Sequence, residues 1–271
     1  MLRIPARLAG LLTLALAGIL MAPSAAPAAG RLGVMLPAHG GPLAQANATQ
    51  DSLNWSGYAV LPSTGHRVTD VASTFKVPAV NGTTPGFAAT WTGIGGYNSS
   101  DLIQAGTAEE YVTGLGPSYY AWYEILPASE TQIANCSGDV NCTVRPGDTI
   151  TVTIQATGAI QANQTWNVSI VDAGHWTYSI GLTYASTYSS AEWILEAPTV
   201  GAQTVMPMMA NTTFDPNNTF TNDNGTAQNI GAGSPVEITM NSREGLPSAL
   251  DVEGDGFNGC AYKLSCPAPA S

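Results

Sequence analysis

The chain has 271 residues, of which 44% are hydrophobic and only 10% charged, and its 19 acidic side chains outnumber eight Lys and Arg to give a formal net charge of −11. So anionic a surface disfavours nucleic acid and anionic membranes as partners, because both are bound through cationic patches. The length is enough for one large β domain with a proper core once an amino-terminal leader is set aside.

Arg3 and Arg7 precede an apolar run from Leu8 to Met21, and small residues ending in Ala26-Pro27-Ala28 follow. That is the order of a secretory signal, and the run is too short to span a bilayer. Residues 1–28 are therefore expected to be cleaved, leaving a secreted, extracellular chain with no membrane attachment. Six of the eight basic side chains then face all 19 acids. Because the carboxylates neutralise in acid and few positive charges remain, the composition tolerates low pH. Residues 29–50 are rich in Ala, Gly and Pro without periodicity, which predicts a leader or short propeptide. Residues 51–271 are predicted to form a single catalytic domain, expected to be monomeric.

From Leu53 the pattern changes to alternation. DTITVTIQA at 148–156, QTWNVSIVDA at 164–173, HWTYSIGLTY at 175–184, SSAEWILEA at 189–197 and PVEITM at 235–240 carry the period of two that marks a half-buried strand. Between them RPGD, VDAGH and DPNN supply turn chemistry. No segment has a helical period. Short strands broken by turns predict an all-β protein, an antiparallel double-sheet β-sandwich of the jelly-roll type, as in lectins and glucanases. The four cysteines fall in two close clusters, Cys136 with Cys142 and Cys260 with Cys266, and in an exported chain they read as two local disulfides. Neither cluster has zinc-ligand spacing, and His39, His66 and His175 lie far apart without an HExxH motif, so neither metal nor cofactor is expected.

Nucleophile chemistry has little support. There is no GxSxG elbow, no cysteine to spare and no glycine-rich phosphate loop. What stands out is a few carboxylates in apolar company: Glu124 in YAWYEILP, and Glu192 and Glu196 in SSAEWILEAP. Such a carboxylate is costly unless it is paired, hydrogen-bonded or exposed in a groove. On a strand, residues 192, 194 and 196 share one face, so if Trp193 and Leu195 point to the core both glutamates project outward. Trp55, Trp91, Trp122, Trp166, Trp176 and Trp193 are candidates for either the core or a substrate groove.

Four segments in order carry a resemblance: NWSGYAV at 54–60, TWTGIGGYNSSDLIQAGT at 90–107, YAWYEILP at 120–127 and AEWILEAP at 191–198. Together they resemble the signature blocks of the glutamic peptidases, or eqolisins, peptidase family G1. The resemblance implies a secreted, acid-active endopeptidase that cleaves polypeptides without a cofactor on a double-sheet sandwich. By position it implies a catalytic pair of Gln104 and Glu196, the second acid of its strand, with Trp91, Trp122 and Glu124 lining the substrate groove. Gly95 stands where fungal relatives carry Asp, and YAWYEILP lacks the second Trp and Tyr of the family's strand. A glutamate with a reference pKa of about 4.3 can activate water in acid, where histidine is already protonated. A glutamine amide can meet the oxyanion at any pH.

Two other readings use the same residues. A glycoside hydrolase would employ two glutamates of one strand as nucleophile and acid/base, which for a retaining enzyme requires carboxyls about 5 to 5.5 Å apart. A non-catalytic carbohydrate- or protein-binding module would use the aromatic-lined face alone. Under the peptidase reading Glu192 is structural or peripheral.

Overall fold

The computed structural model describes residues 49–200, 202–240 and 244–270; the segment expected to be a secretory signal and nearly all of the expected leader lie outside them. The first half of the chain supplies β1 (Thr49–Ser52), β2 (Trp55–Val60), β3 (Val68–Lys76), β4 (Gly86–Gly95), β5 (Leu102–Val112), β6 (Gly116–Ile125) and β7 (Thr131–Gln132). The long strands β8 (Thr149–Thr157), β9 (Gln164–Asp172), β10 (Trp176–Tyr184) and β11 (Ala191–Glu196) follow. Shorter ones complete the order: β12 (Thr199–Val200), β13 (Ala202–Gln203), β14 (Thr212–Phe214), β15 (Thr219–Asn222), β16 (Ala227–Asn229), β17 (Val236–Met240), β18 (Gly245–Pro247) and β19 (Phe257–Ala261). One 3-10 turn at Gly231–Gly233 is the only helical element among the described residues.

Two sheets form the expected sandwich. One runs β1-β17-β2-β11-β4-β5-β6-β7, the other β10-β9-β8-β3-β14-β19-β18, with β15 also paired to β3. All their pairings are antiparallel except β1 on β17, which is parallel. The five strands expected from alternation are β8, β9, β10, β11 and β17, with ends within two residues of those expected. β1 begins at Thr49, so the end drawn for the leader at residue 50 falls inside a strand. Both disulfides close locally, Cys136–Cys142 and Cys260–Cys266.

The two sheets differ in burial, and that difference makes the site. β8 and β9 alternate as half-buried strands, turning Ile150, Val152, Ile154, Trp166, Val168 and Ile170 inward. β2 and β11, in the middle of the other sheet, are buried at every position. Their inward side chains, among them Tyr58, Val60 and Trp193, join the inter-sheet core. Outward, Trp55, Trp91, Leu102, Trp122 and Ile194 form a second apolar layer. The six tryptophans thus divide evenly, with Trp166, Trp176 and Trp193 inside and Trp55, Trp91 and Trp122 on the outer face. Burial of each contributes on the order of 2 to 3 kcal/mol. Gly106 pairs with both Trp91 and Trp122. A Cβ there would stand 2.0 Å from the Thr90 carbonyl oxygen and 2.7 Å from Trp91 Cα, so the strands meet this closely only because residue 106 has no side chain.

Several acids are buried with no Lys or Arg beside them; among the described residues the ion pairs are His66–Asp223 and His175–Asp172. Glu109 lies inside the sandwich, accepting the Thr107 hydroxyl at 2.6 Å and the Thr90 hydroxyl at 3.1 Å. Burial outweighs these donors and pushes its carboxyl up to about 8. A carboxyl whose folded pKa is raised adds stability that is fully present below the unfolded value near 4.5 and is lost as pH rises toward 8. Each such group removes about 1.4 kcal/mol per pH unit in that window. The melting temperature is therefore expected to fall steadily from pH 4 to pH 8. Glu109→Gln, which supplies a neutral side chain of similar shape, should flatten part of the slope, and a wild-type melting temperature that climbs over this range would contradict the assignment.

Candidate active site

The outer face of β2, β11, β4, β5 and β6 carries three cross-strand rows. In the first, Glu192 pairs with Gly93, Gly93 with Gln104, and Gln104 with Glu124. In the second, Ile194, Trp91, Gly106 and Trp122 follow one another. The third runs Trp55, Glu196, Ala89, Ala108 and Tyr120. Alternation brings these residues to one face because Trp193 and Leu195 turn inward.

Glu196 sits between two donors. The Trp91 indole Nε1–H donates to Oε2 at 2.7 Å, and the Asn54 amide Nδ2–H donates to Oε1 at 2.8 Å. Trp55 Nε1 approaches the same carboxylate without reaching hydrogen-bond geometry. Burial pushes Glu196 up to about 7, and the Trp91, Asn54 and Trp55 donors restrain the rise. The rise above the reference glutamate value follows from the second apolar layer, which removes the carboxylate from water.

Gln104 is a buried residue of β5 and not a loop amide. Its Nε2 donates to Glu124 Oε2 at 2.6 Å, which sets the direction of the amide and leaves its second N–H for another acceptor. Burial raises Glu124 to about 8; the bond from Gln104 lowers it, while the charges of Glu196 and Glu130 raise it further. Glu196 is thus close enough to Glu124 for its charge to be felt, although the register sets Gln104 level with Glu192 instead. Glu196 stands four residues further along β11, an advance of roughly 13 Å along a regular strand.

Glu192 differs from Glu196 in its surroundings. It is fully buried, and neither oxygen has a hydrogen bond of good geometry; Ser190 and the Tyr97 backbone only soften the upward shift that burial imposes. Among charged groups it is Asp101, not the Gln104–Glu124 pair, that acts on it. It is an interior acid and not the solvated one that a strand face would suggest. Trp91, Trp122 and Glu124 all lie on this face and all are buried, with the Trp91 N–H committed to Glu196. Sequence reasoning passed over Asn54. The signal was its place beside Trp55 at the start of the NWSG segment, but a donor 142 positions from its acceptor has no local signature. The three rows contain no histidine or cysteine, so a metal there would have oxygen ligands only.

The double sandwich and the family match of its sequence place the protein among the peptidases. Residues 53–262 match the Peptidase A4 family, and the chain belongs to it. Scytalido-glutamic peptidase with a transition state analog inhibitor has the same fold, at 18% identity and a TM-score of 0.57 over 78% of this chain and 98% of that one. Its complex with a peptide-based transition state analog gives the same figures. SCP-B, a member of the eqolisin family of peptidases in a complex with the tripeptide Ala-Ile-His, is similar at 18% identity and a TM-score of 0.56 with the same coverage. No curated protein matches the chain.

Asn54 supplies a test of the site. Its N–H favours the ionised form of Glu196, so Asn54→Ala should raise the Glu196 pKa and move the acid limb of the kcat/KM profile upward in pH. A charge-assisted hydrogen bond contributes about 1.5 to 3 kcal/mol, and activity at pH 5 should fall at least about tenfold, recovering above the limb. An equal loss at every pH would mean that Asn54 does not act through that carboxylate.

Proposed function

We propose that this peptidase is a secreted endopeptidase in which Glu196 is the base and Gln104 the oxyanion donor. Glu196 takes a proton from a water molecule as that water attacks the scissile carbonyl carbon, and returns it to the departing amine nitrogen. The second N–H of Gln104 meets the developing oxyanion, while Glu124 holds the amide in place; removing such a donor costs about 3 to 4 kcal/mol of barrier. The observation that carries the reading is the contrast between two acids of one strand: Glu196 has two oriented donors and acts on Glu124, whereas Glu192 has neither. Every step uses side chains alone. Residues 1–28 support export, and the anionic surface supports a monomer that acts on polypeptides and not on nucleic acid or membranes.

The raised Glu196 carboxyl shapes the pH dependence. A base must first lose its proton, so activity is expected to rise through weak acid toward neutrality rather than peak in strong acid. The glycosidase reading is less well supported. β11 pairs with both neighbours without a register shift from Ala191 to Glu196, so no bulge draws Glu192 and Glu196 together.

Three variants test the assignment. Glu196→Gln should abolish turnover while leaving circular dichroism and peptide binding intact. Gln104→Glu should also disable the enzyme, because a second carboxylate repels the oxyanion. Glu192→Gln should change kcat/KM by less than about tenfold, roughly 1.4 kcal/mol. An inactive Glu192→Gln beside an active Glu196→Gln would move the base to the other acid, and wild-type activity in all three would place the chemistry elsewhere.

A further inference from the structure

A second constellation lies away from the outer face, at the end of the inter-sheet core. Asp148 directly precedes β8, Asp172 ends β9, and His175 closes the turn that leads into β10. One ligand atom from each can be chosen so that all three lie within 4.8 Å of one another. Asp172 continues the inward row of Trp166, Val168 and Ile170 and is only 1% exposed. Its Oδ2 meets His175 Nδ1 at 3.1 Å, and its buried Oδ1 has no hydrogen-bond partner. Asp148 brings a second carboxylate, one of whose oxygens accepts the Arg145 amide at 2.6 Å. His175, 51% exposed, opens the cluster to solvent.

Two carboxylates drawn together beside a buried oxygen with no hydrogen-bond partner are relieved by positive charge between them. An imidazole beside them matches a first-row divalent ion better than calcium or magnesium, which prefer oxygen ligands alone. We propose that Asp148, Asp172 and His175 bind one divalent first-row cation, such as Zn²⁺, with water completing its coordination. Bonds of about 2.0 to 2.2 Å put ligand atoms roughly 3 to 4 Å apart, so the site forms with small rotations of Asp148 and His175.

The ion has a mechanical role. It ties the start of β8 to the β9–β10 turn, against which the Cys136–Cys142 loop is packed. Ser137 and Thr177 exchange backbone hydrogen bonds of 2.9 and 2.8 Å there, and Trp176 Nε1 donates to the Thr143 carbonyl at 2.8 Å. The cation therefore braces the edge of the second sheet and is not part of peptide hydrolysis.

The test uses the mature protein, stripped with EDTA, desalted and titrated with ZnCl₂ at pH 7 by calorimetry and by thermal unfolding. One ion per chain should bind, with a saturable rise in melting temperature of about 3 °C or more. His175→Gln and Asp148→Asn should each weaken binding at least about tenfold, and circular dichroism should show that both still fold. His66→Gln, at the other His–Asp pair, should leave binding unchanged. Absence of heat and of any thermal shift would overturn the proposal, as would zinc binding that survives both His175→Gln and Asp148→Asn. If zinc has no effect and Asp148→Asn alone stabilises the protein, the two acids share a proton, and the metal site is likewise refuted.

Discussion

A glutamate in the middle of a sheet that is buried on both faces keeps its charge only if donors are built around it. β11 is such a strand. It is bonded to β2 on one side and β4 on the other, and all six of its residues are buried. Two of those six are glutamates, and the protein treats them differently. Around Glu196 it places an indole N–H from β4 and an amide N–H from the residue before β2, whereas around Glu192 it places almost no donors. Burial raises both, and donors restrain the rise at Glu196, whereas at Glu192 burial acts with little opposition.

The same burial links the site to the stability of the whole fold. Glu109, Glu124, Glu192 and Glu196 are all raised above the ordinary glutamate range, with loss of hydration the largest cause in each. Protonated, they are hydrogen-bonding polar groups at modest cost; ionised, they are buried charges without counter-ions. An acidic medium therefore favours this fold, and under the proposed mechanism it would at the same time disfavour ionisation of Glu196.

The outer apolar layer is what makes a site of a sheet face. Trp55 and Trp91 meet edge to face at a ring separation of 5.0 Å, and Leu102, Trp122 and Ile194 fill the same layer. That layer dries the carboxylates and fixes their donors, so that polar groups worth little in water become strongly oriented. It also explains why Trp91 and Trp122 are buried: Trp91 holds Glu196 through its indole N–H, which a list of groove-lining aromatics does not convey.

The sequence alone determined the features that are local or periodic. Alternation in DTITVTIQA or PVEITM needs only neighbouring residues to declare which side chains face inward, and cysteines six positions apart close on each other because a short chain keeps them together. The ordered segments around Asn54, Trp91, Glu124 and Glu196 identified the class for the same reason, since each is a contiguous string. Tertiary structure decided the rest. β1 takes Thr49 and Gln50 from an unpatterned leader because β17 offers them an edge. Glu192, indistinguishable from Glu196 by spacing, is set apart by which groups surround it after folding. Asn54 reaches Glu196 only through the pairing of β2 with β11, strands distant in the chain, whereas Asp148 meets Asp172 and His175 across the β8–β9 hairpin and the turn that follows it. Periodicity records which face a residue takes, whereas the depth of that face and the donors across from it depend on long-range pairing, and it is depth and donors that set the charge of a carboxylate.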